Sequence, residues 1–350
     1  MSTNKNLVGV ISDCHFGIRK TSKPHRDNLV KFLREIYFPK LDELGIKHVI
    51  NAGDMFDERK KIDTSDAYTC RAEYYDKLKA RGITEDLIIG NHDIYMRESN
   101  MVNSATAVLG SFIDDGTLRI HEEASEQNDF LFVPWINKSN YDRSMEVITR
   151  SKKRFCIGHL ELNGFTLHRG QVCTKGYESD PFDKFELTLS GHFHFRSRQR
   201  NIVYLGSPTQ HNWQDVGDVR GFHTLDTETG ELTFYRNPFE IYATTIYDNK
   251  LLTTQQLEQY RDRYVRVYYN EIEKESQFKK YREQLVSVAH DVQTIKVATS
   301  VEDGETIVID NTDVEVEDTI TMLQNESKGD VRLFDELMDL HTRAQVITRG

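Results

Sequence analysis

The stretch Leu187–Phe195 reads LTLSGHFHF. Its first residues alternate like a strand, the run stops at Gly191, and His192 and His194 follow two residues apart. On an extended segment, residues i and i+2 share a side, so both imidazoles can face one place. The same local design recurs through the first 240 residues. NLVGVISDCHFG ends in Asp13 and His15, KHVINAGDMFD in Asp54 and Asp57, and DLIIGNHD in Asn91, His92 and Asp93. RFCIGHLE brings His159, and NIVYLGSPTQH brings Gly206 and Ser207. Helical patterns at 26–43 and 66–81 lie between the early strands. Strands alternating with helices predict an α/β fold. Sites in such folds lie beyond the carboxyl ends of the strands.

The bulk properties narrow the class. A chain of 350 residues predicts one large domain and a smaller one. The start, MSTNKNLVGVISD, lacks the apolar core of a signal peptide, and no apolar run approaches a membrane span. Cys14, Cys70, Cys156 and Cys173 are scattered, as in a reduced cytoplasmic protein. The net charge of −11 argues against nucleic acid until it is located. Between Glu302 and Asp339 there are 13 acidic residues against Lys328 and Arg332, so that segment carries all of it. The rest of the chain is neutral. After residue 222, GFHTLDTETGELTFYRN reads as a hairpin around Thr229-Gly230 that closes the first domain. From about 245 a small βαβ-like unit follows: strands at 264–269 and 291–298 flank an amphipathic helix at 276–289. Short helical patterns at 318–326 and 331–345 end the chain.

Singly, each motif has an ordinary explanation. Asp-x-His, Gly-Asp-x-x-Asp, Gly-Asn-His-Asp, Gly-His and Gly-His-x-His together, all at predicted strand ends, do not. They supply carboxylate, imidazole and amide donors for two adjacent divalent cations, with Asp54 the natural bridging carboxylate. Mixed oxygen and nitrogen donors without thiolate favour manganese or iron over a structural zinc. Paired cations about 3.5–4 Å apart suit in-line displacement at phosphorus.

These five motifs resemble the calcineurin-like metallophosphoesterase family, and their order, spacing and added second domain resemble its SbcD-type DNA-repair nuclease branch. IGHLELNGF (157–165) and YLGSPTQHNWQDVGDVRGF (204–222) are similar to phage members of that branch. The resemblance implies a two-sheet sandwich flanked by helices over 1–240, a smaller α+β DNA-capping domain over 241–300, and an acidic linker with partner-binding helices over 301–350. It implies one cation on Asp13, His15, Asp54 and His194, and the other on Asp54, Asn91, His159 and His192. Manganese is the expected ion, with magnesium or iron as alternatives. His92 is the implied catalytic histidine, stabilising the transition state or protonating the leaving 3′ oxygen. Asp57 is expected to accept a hydrogen bond from the His92 imidazole and orient it.

Other residues carry plainer expectations. Asp93 reads as a cap, Cys14 as pointing away from the site, Glu161 as a rim residue and Ser207 as an edge residue acting through its backbone. His168, His211 and His223 read as ordinary histidines. Basic clusters near the motifs offer Arg59, Lys60, Lys152, Lys153, Arg196 and Arg198 as DNA contacts. Tyr264, Tyr268 and Tyr269 are further candidates, although alternation turns half of them inward. The resemblance implies a homodimer through helices near 66–81 and 100–112. It also implies an SbcC-type ABC ATPase with a coiled coil, docked by Phe334, Leu337 and Met338. The reading is thus a manganese-dependent exonuclease and endonuclease acting on DNA ends in recombination and repair. Two readings stay open beside it: a general metallophosphoesterase acting on phosphoprotein or nucleotides, and a catalytically silent DNA-end scaffold.

Overall fold

A computed structural model describes residues 6–168 and 170–297. The terminal helical patterns, with Phe334, Leu337 and Met338, lie outside the described residues. The chain divides into two compact units, Met1–Val267 with Ile272–Thr294, and Tyr268–Glu271 with Ile295–Gly350.

The first unit contains two six-stranded sheets. One runs in the order Leu232–Arg236, Gly221–Asp226, Leu7–Ile11, His48–Asn51, Thr84–Ile88, Leu118–His121. Its strands from Leu7 to His121 pair in parallel, and the Gly221–Asp226 strand adds on antiparallel. The other runs Ser197–Gln199, Ile202–Tyr204, Leu187–Gly191, Phe155–His159, Phe130–Val133, Ser125–Gln127. Its four inner strands are parallel and both edges antiparallel.

Alternation along each strand decides the layers. Val8, Val10, Ile50 and Ile88 of the first sheet form one buried cluster with Phe132, Phe155, Ile157 and Leu189 of the second. The outer face of the first sheet packs against Phe32, Tyr37, Leu41, Tyr74 and Leu109 from the helical segments. The outer face of the second packs Ile148 of the helix Tyr141–Arg150 with Phe165 and Phe193. The sandwich therefore has a layer of helices over the first sheet and a helix with loops over the second.

The helical patterns at 26–43 and 66–81 are observed as Lys23–Leu44 and Thr64–Ala80, each widened midway by a π turn, Leu33–Tyr37 and Arg71–Tyr75. Pro39 lacks the N–H that an α ladder needs at that point, which accounts for the first widening. The extra residue in the second buries the consecutive Tyr74 and Tyr75, and Tyr74 stacks on Tyr37 at 5.9 Å. The helix expected near 100–112 begins only at Ser104. Residues Ser99–Asn103 pair instead with Ile94–Met96, and the Asn103 side chain caps the helix by accepting from Thr106 N at 2.8 Å.

The later segment contains the expected strand, helix and strand, at Tyr264–Tyr269, Glu275–Val286 and Asp291–Lys296, with Tyr242–Ile246 as a third strand. Phe278, Tyr281 and Leu285 form the buried helix face. Tyr242 ties this segment to the two six-stranded sheets. Its hydroxyl meets His25 Nε2 at 2.8 Å, and its ring lies against Trp213 at 4.7 Å. Tyr264 stacks on Tyr242 at 5.4 Å, so it faces inward.

One buried carboxyl gives this core a pH signature. Glu85 is 1% exposed and accepts from Tyr74 Oη at 2.7 Å. Burial pushes its carboxyl up to about 7. The folded chain therefore holds a proton that the unfolded chain releases near pH 4.5. The stabilising contribution is complete below that pH and is lost as pH rises through about 7. Thermal melts should show Tm falling across this window, and Glu85→Gln should flatten that part of the profile.

Candidate metal centre

The motif residues converge at the carboxyl ends of strands from both sheets. Their loops are held in conformations that ordinary residues avoid. Asp13, His15, Asp54 and His192 have φ of 53°, 45°, 55° and 84°. Such left-handed residues cost of order 1–3 kcal/mol each and persist only where the surroundings fix them. Here Asp13 N donates to Gly53 O at 2.9 Å, and His15 N to Asp54 O at 3.1 Å. His192 N donates to Asp13 Oδ1 at 3.1 Å, and His92 N to Asp54 Oδ1 at 2.8 Å.

Asp93 fixes the junction between two of these loops. Its carboxylate accepts from Asp54 N at 2.9 Å, Met55 N at 3.0 Å, Phe56 N at 3.2 Å and Gly90 N at 3.0 Å. Burial and the neighbouring Asp54 charge push its carboxyl up to about 6. The cap expected at Asp93 is met by its bond from Gly90 N, three residues back, and its carboxylate also binds main chain nearly forty residues away. Gly90 must be glycine for the same junction to close, because a Cβ there would sit 2.1 Å from Asp54 Oδ1 and 2.5 Å from Asp54 N.

The side chains form two donor groups that share Asp54. On one side, His15 Nε2 lies 3.1 Å from His194 Nε2, 3.6 Å from Asp54 Oδ2 and 4.0 Å from Asp13 Oδ1. On the other, Asn91 Oδ1 lies 2.9 Å from His159 Nε2 and 2.8 Å from His192 Nδ1, while His159 Nε2 is 3.2 Å from Asp54 Oδ2. Asp13 Oδ2 and Asp54 Oδ2 are buried with no hydrogen-bond partner. Buried carboxylate oxygens left unpartnered beside convergent imidazoles fit cation binding.

Burial and the crowded charges set the electrostatics of the centre: the neighbouring carboxylates push His15 and His159 up to about 9 against the opposing effect of burial. Burial opposes ionisation of Asp54, but His159, His92 and His15 hold its carboxyl well below the usual range. Burial, joined by the charge of Asp54, raises Asp13. Burial and the charge of His159 bring His192 down to about 3, and burial likewise lowers His194, leaving both rings neutral and able to donate lone pairs.

The expected pairing of Asp57 with His92 is corrected. The Asp57 carboxylate accepts from His15 Nδ1 at 2.9 Å. His92 Nδ1 reaches Asp57 at 2.6 Å, but at its main-chain carbonyl. The physical reason is reach: His15 already occupies the carboxylate, while the carbonyl faces the His92 ring. A carbonyl only accepts, so Nδ1 of His92 carries a proton and Nε2 is left for chemistry.

The surroundings sort the remaining residues. Cys14 is buried in the helix-side core, away from the centre. Ser207 N donates to His194 O at 3.2 Å, and its hydroxyl donates to Thr209 O at 2.8 Å. Glu161 is half-buried and His223 packs on Phe234 at 4.9 Å. The side chain of His168 lies outside the described residues. His211 is not ordinary: its Nδ1 lies 3.2 Å from His194 Nδ1. Trp135, which the motifs did not mark, places its ring 5.0 Å from His192. Neither carries a spacing signal, since each belongs to a loop that only the fold brings to the site.

The basic candidates separate as well. Lys60 lines a cleft of about 600 Å³ that begins at Phe16 and Gly17, directly after His15, and Arg59 is its chain neighbour. Arg196 is exposed two residues past His194, with its guanidinium over Phe234, and exposed Arg198 follows. Lys152 and Lys153 precede the strand whose far end is His159, roughly 13 Å along it. Lys153 is further committed to Asn128 O at 2.6 Å. The pair thus lies at the other end of this strand from the donor groups.

The Asp57 geometry makes a specific prediction. Asp57→Ala should weaken divalent-cation binding about 10- to 100-fold, as loss of a ligand-orienting partner does. Asp57→Asn, which keeps an acceptor for His15, should weaken it less. Calorimetric titration with manganese measures both.

Among known proteins, residues 7–196 match the calcineurin-like phosphoesterase family. The chain is 29% identical over 321 residues to exonuclease subunit 1 of Enterobacteria phage T4, covering 90% of each. Solved structures similar to it include an archaeal phosphodiesterase (13% identity, TM-score 0.35, 66% of this chain and 99% of that one). Another is a phosphopantetheinyl hydrolase from Mycobacterium tuberculosis (13% identity, TM-score 0.34, 57% of this chain and 89% of that one). With its match covering more than half of the chain and the ligand-type residues converging as described, the protein belongs to the calcineurin-like phosphoesterase family.

Proposed function

We propose that the protein is a manganese-dependent DNA exonuclease and endonuclease that hydrolyses phosphodiester bonds with two cations. The observation that carries this reading is the pair of donor groups meeting at Asp54 Oδ2, with His92 beside them. Similarity along nine-tenths of the chain to a phage exonuclease subunit favours DNA over other phosphoesters. In this reading Asp13, His15, Asp54 and His194 hold one cation, and Asp54, Asn91, His159 and His192 the other. When bound, the cations supply an activated water and neutralise phosphoryl charge. Magnesium or iron are the alternative ions.

The chain's own residues do the rest. Asp54 keeps its charge and offers one oxygen to both groups. His92 is held through its Nδ1–H on Asp57 O, so Nε2 is the atom turned to the reaction: as the doubly protonated imidazolium the ring gives its Nε2 proton to the leaving 3′ oxygen and returns to the neutral Nδ1–H form, or it stabilises the charge developing there. Lys60, Arg59, Arg196 and Arg198 are the basic side chains assigned to backbone phosphates. The segment over 241–300 is assigned to DNA capping. The segment over 301–350, with Phe334, Leu337 and Met338, is assigned to an SbcC-type ABC ATPase. A homodimer, a cytoplasmic setting in the host cell and a role in recombination and double-strand-break repair complete the reading. Among the described residues, no helix is long and apolar enough to cross a membrane.

The test compares wild type with His92→Ala, with manganese and the ATPase supplied. Substrates are end-labelled duplex DNA, a phosphopeptide and para-nitrophenyl phosphate. DNA cleavage should fall about 10²- to 10⁴-fold in the variant, the usual share of a general acid, with manganese and DNA still bound. Activity on the phosphopeptide alone would favour the general phosphoesterase. DNA binding with no cleavage of anything would favour the scaffold.

A further inference from the structure

The segment 204–222 supplies no ligand in the reading above, yet it is tightly built. Arg220 and Asp215 are both almost fully buried and pair at 2.7 Å. Arg220 also donates to the main-chain oxygen of His194 and, at 2.5 Å, to Ser207 Oγ. Asp215 accepts from His211 N at 2.6 Å and Asn212 N at 3.1 Å. One buried ion pair therefore holds the main chain of His194 and that of His211 together. Arg19 Nε adds a 3.0 Å bond to His211 O.

His211 is 2% exposed. Its ring stands edge-on to His194 with centroids 4.7 Å apart, and the two Nδ1 atoms are 3.2 Å apart. His194 Nε2 is the nitrogen that faces His15 Nε2, at 3.1 Å, and Asp13 Oδ1, at 3.8 Å. An imidazole that offers a lone pair at Nε2 carries its proton at Nδ1. Two nitrogens at this distance share one proton, so in the two-cation reading His194 would donate and His211 accept, which places the proton of His211 on its buried Nε2, an atom without a hydrogen-bond partner.

We propose that His211 is a positioning residue for the cation site on the Asp13 side, accepting the Nδ1–H of His194 and so presenting His194 Nε2 as a donor. The proposal rests on the two-cation reading given above. The other ligand imidazoles give it context. His15 hands its Nδ1–H to the Asp57 carboxylate, and His159 hands its own to Ala52 O at 2.7 Å. Such partners fix tautomer and ring orientation and are worth about 10- to 100-fold in cation affinity. For His194 the partner is a neutral imidazole, a weaker acceptor than a carboxylate. The Asp13 side thus contains one ligand that is less strongly polarised than its neighbour His15.

The test titrates metal-free protein with manganese and counts free ion by its electron paramagnetic resonance signal. Wild type is compared with His211→Leu, which fills the space without an acceptor, and His211→Asn, which places an amide at the δ position. Wild type should bind two ions. His211→Leu should lose about 10- to 100-fold affinity at one site and leave the other unchanged, and His211→Asn should recover most of that loss. Circular dichroism checks that each variant folds. If the Leu variant does not, His211→Gln takes its place, because its amide reaches the ε position and should bind weakly. Unchanged affinity at both sites in the Leu variant overturns the proposal. An Asn variant as weak as the Leu variant also overturns it, marking His211 as a direct ligand. A wild-type chain that takes fewer than two ions overturns the two-cation reading and this proposal with it.

Discussion

Asp54 is asked to do two opposed things. One of its oxygens is fixed by the His92 amide, while the other is buried without a partner between His15 and His159. A carboxylate stripped of water in this way is costly unless charge is returned to it. The imidazoles return part of it, and in the proposed reading cations held by the donor groups on either side would bring the rest. The left-handed loops, the close-packed glycine at 90 and the buried Asp93 all serve to keep that oxygen where it is.

The two sheets make this arrangement possible. Asp13, Asp54 and Asn91 come from parallel strands of one sheet, and His159, His192 and His194 from the other. Because both sheets end at the same edge of the sandwich, donors separated by as much as 179 positions meet within hydrogen-bond distance. Asp93 then couples the Asp54 and Asn91 loops by accepting four main-chain N–H groups, more than a neutral side chain could satisfy. The network around Arg220 and Asp215 performs a related task for the last histidine, from a segment that is itself remote from any ligand motif.

Much of this was legible in the sequence because strand-end chemistry is local. An apolar run, a glycine and a ligand-type residue announce themselves within ten positions, and the helices at 23–44 and 64–80 show their period directly. What was not legible depends on reach between loops. The family resemblance implied that the Asp57 carboxylate holds His92, yet that carboxylate turns to His15 and only the Asp57 carbonyl meets His92. His211 and Trp135 have no ligand spacing at all. Lys152 and Lys153 are near His159 in the chain but at the other end of its strand. The strand at Ser99–Asn103 was hidden because a capping asparagine ends it just where helical composition begins.

The central claim of the proposed reading is that Asp54 would be shared by two cations. The direct measurement is electron paramagnetic resonance of the protein loaded with two equivalents of manganese. Two ions sharing Asp54 should give an exchange-coupled spectrum, with the coupling abolished in Asp54→Asn. A spectrum of isolated, uncoupled manganese at full loading would contradict the account.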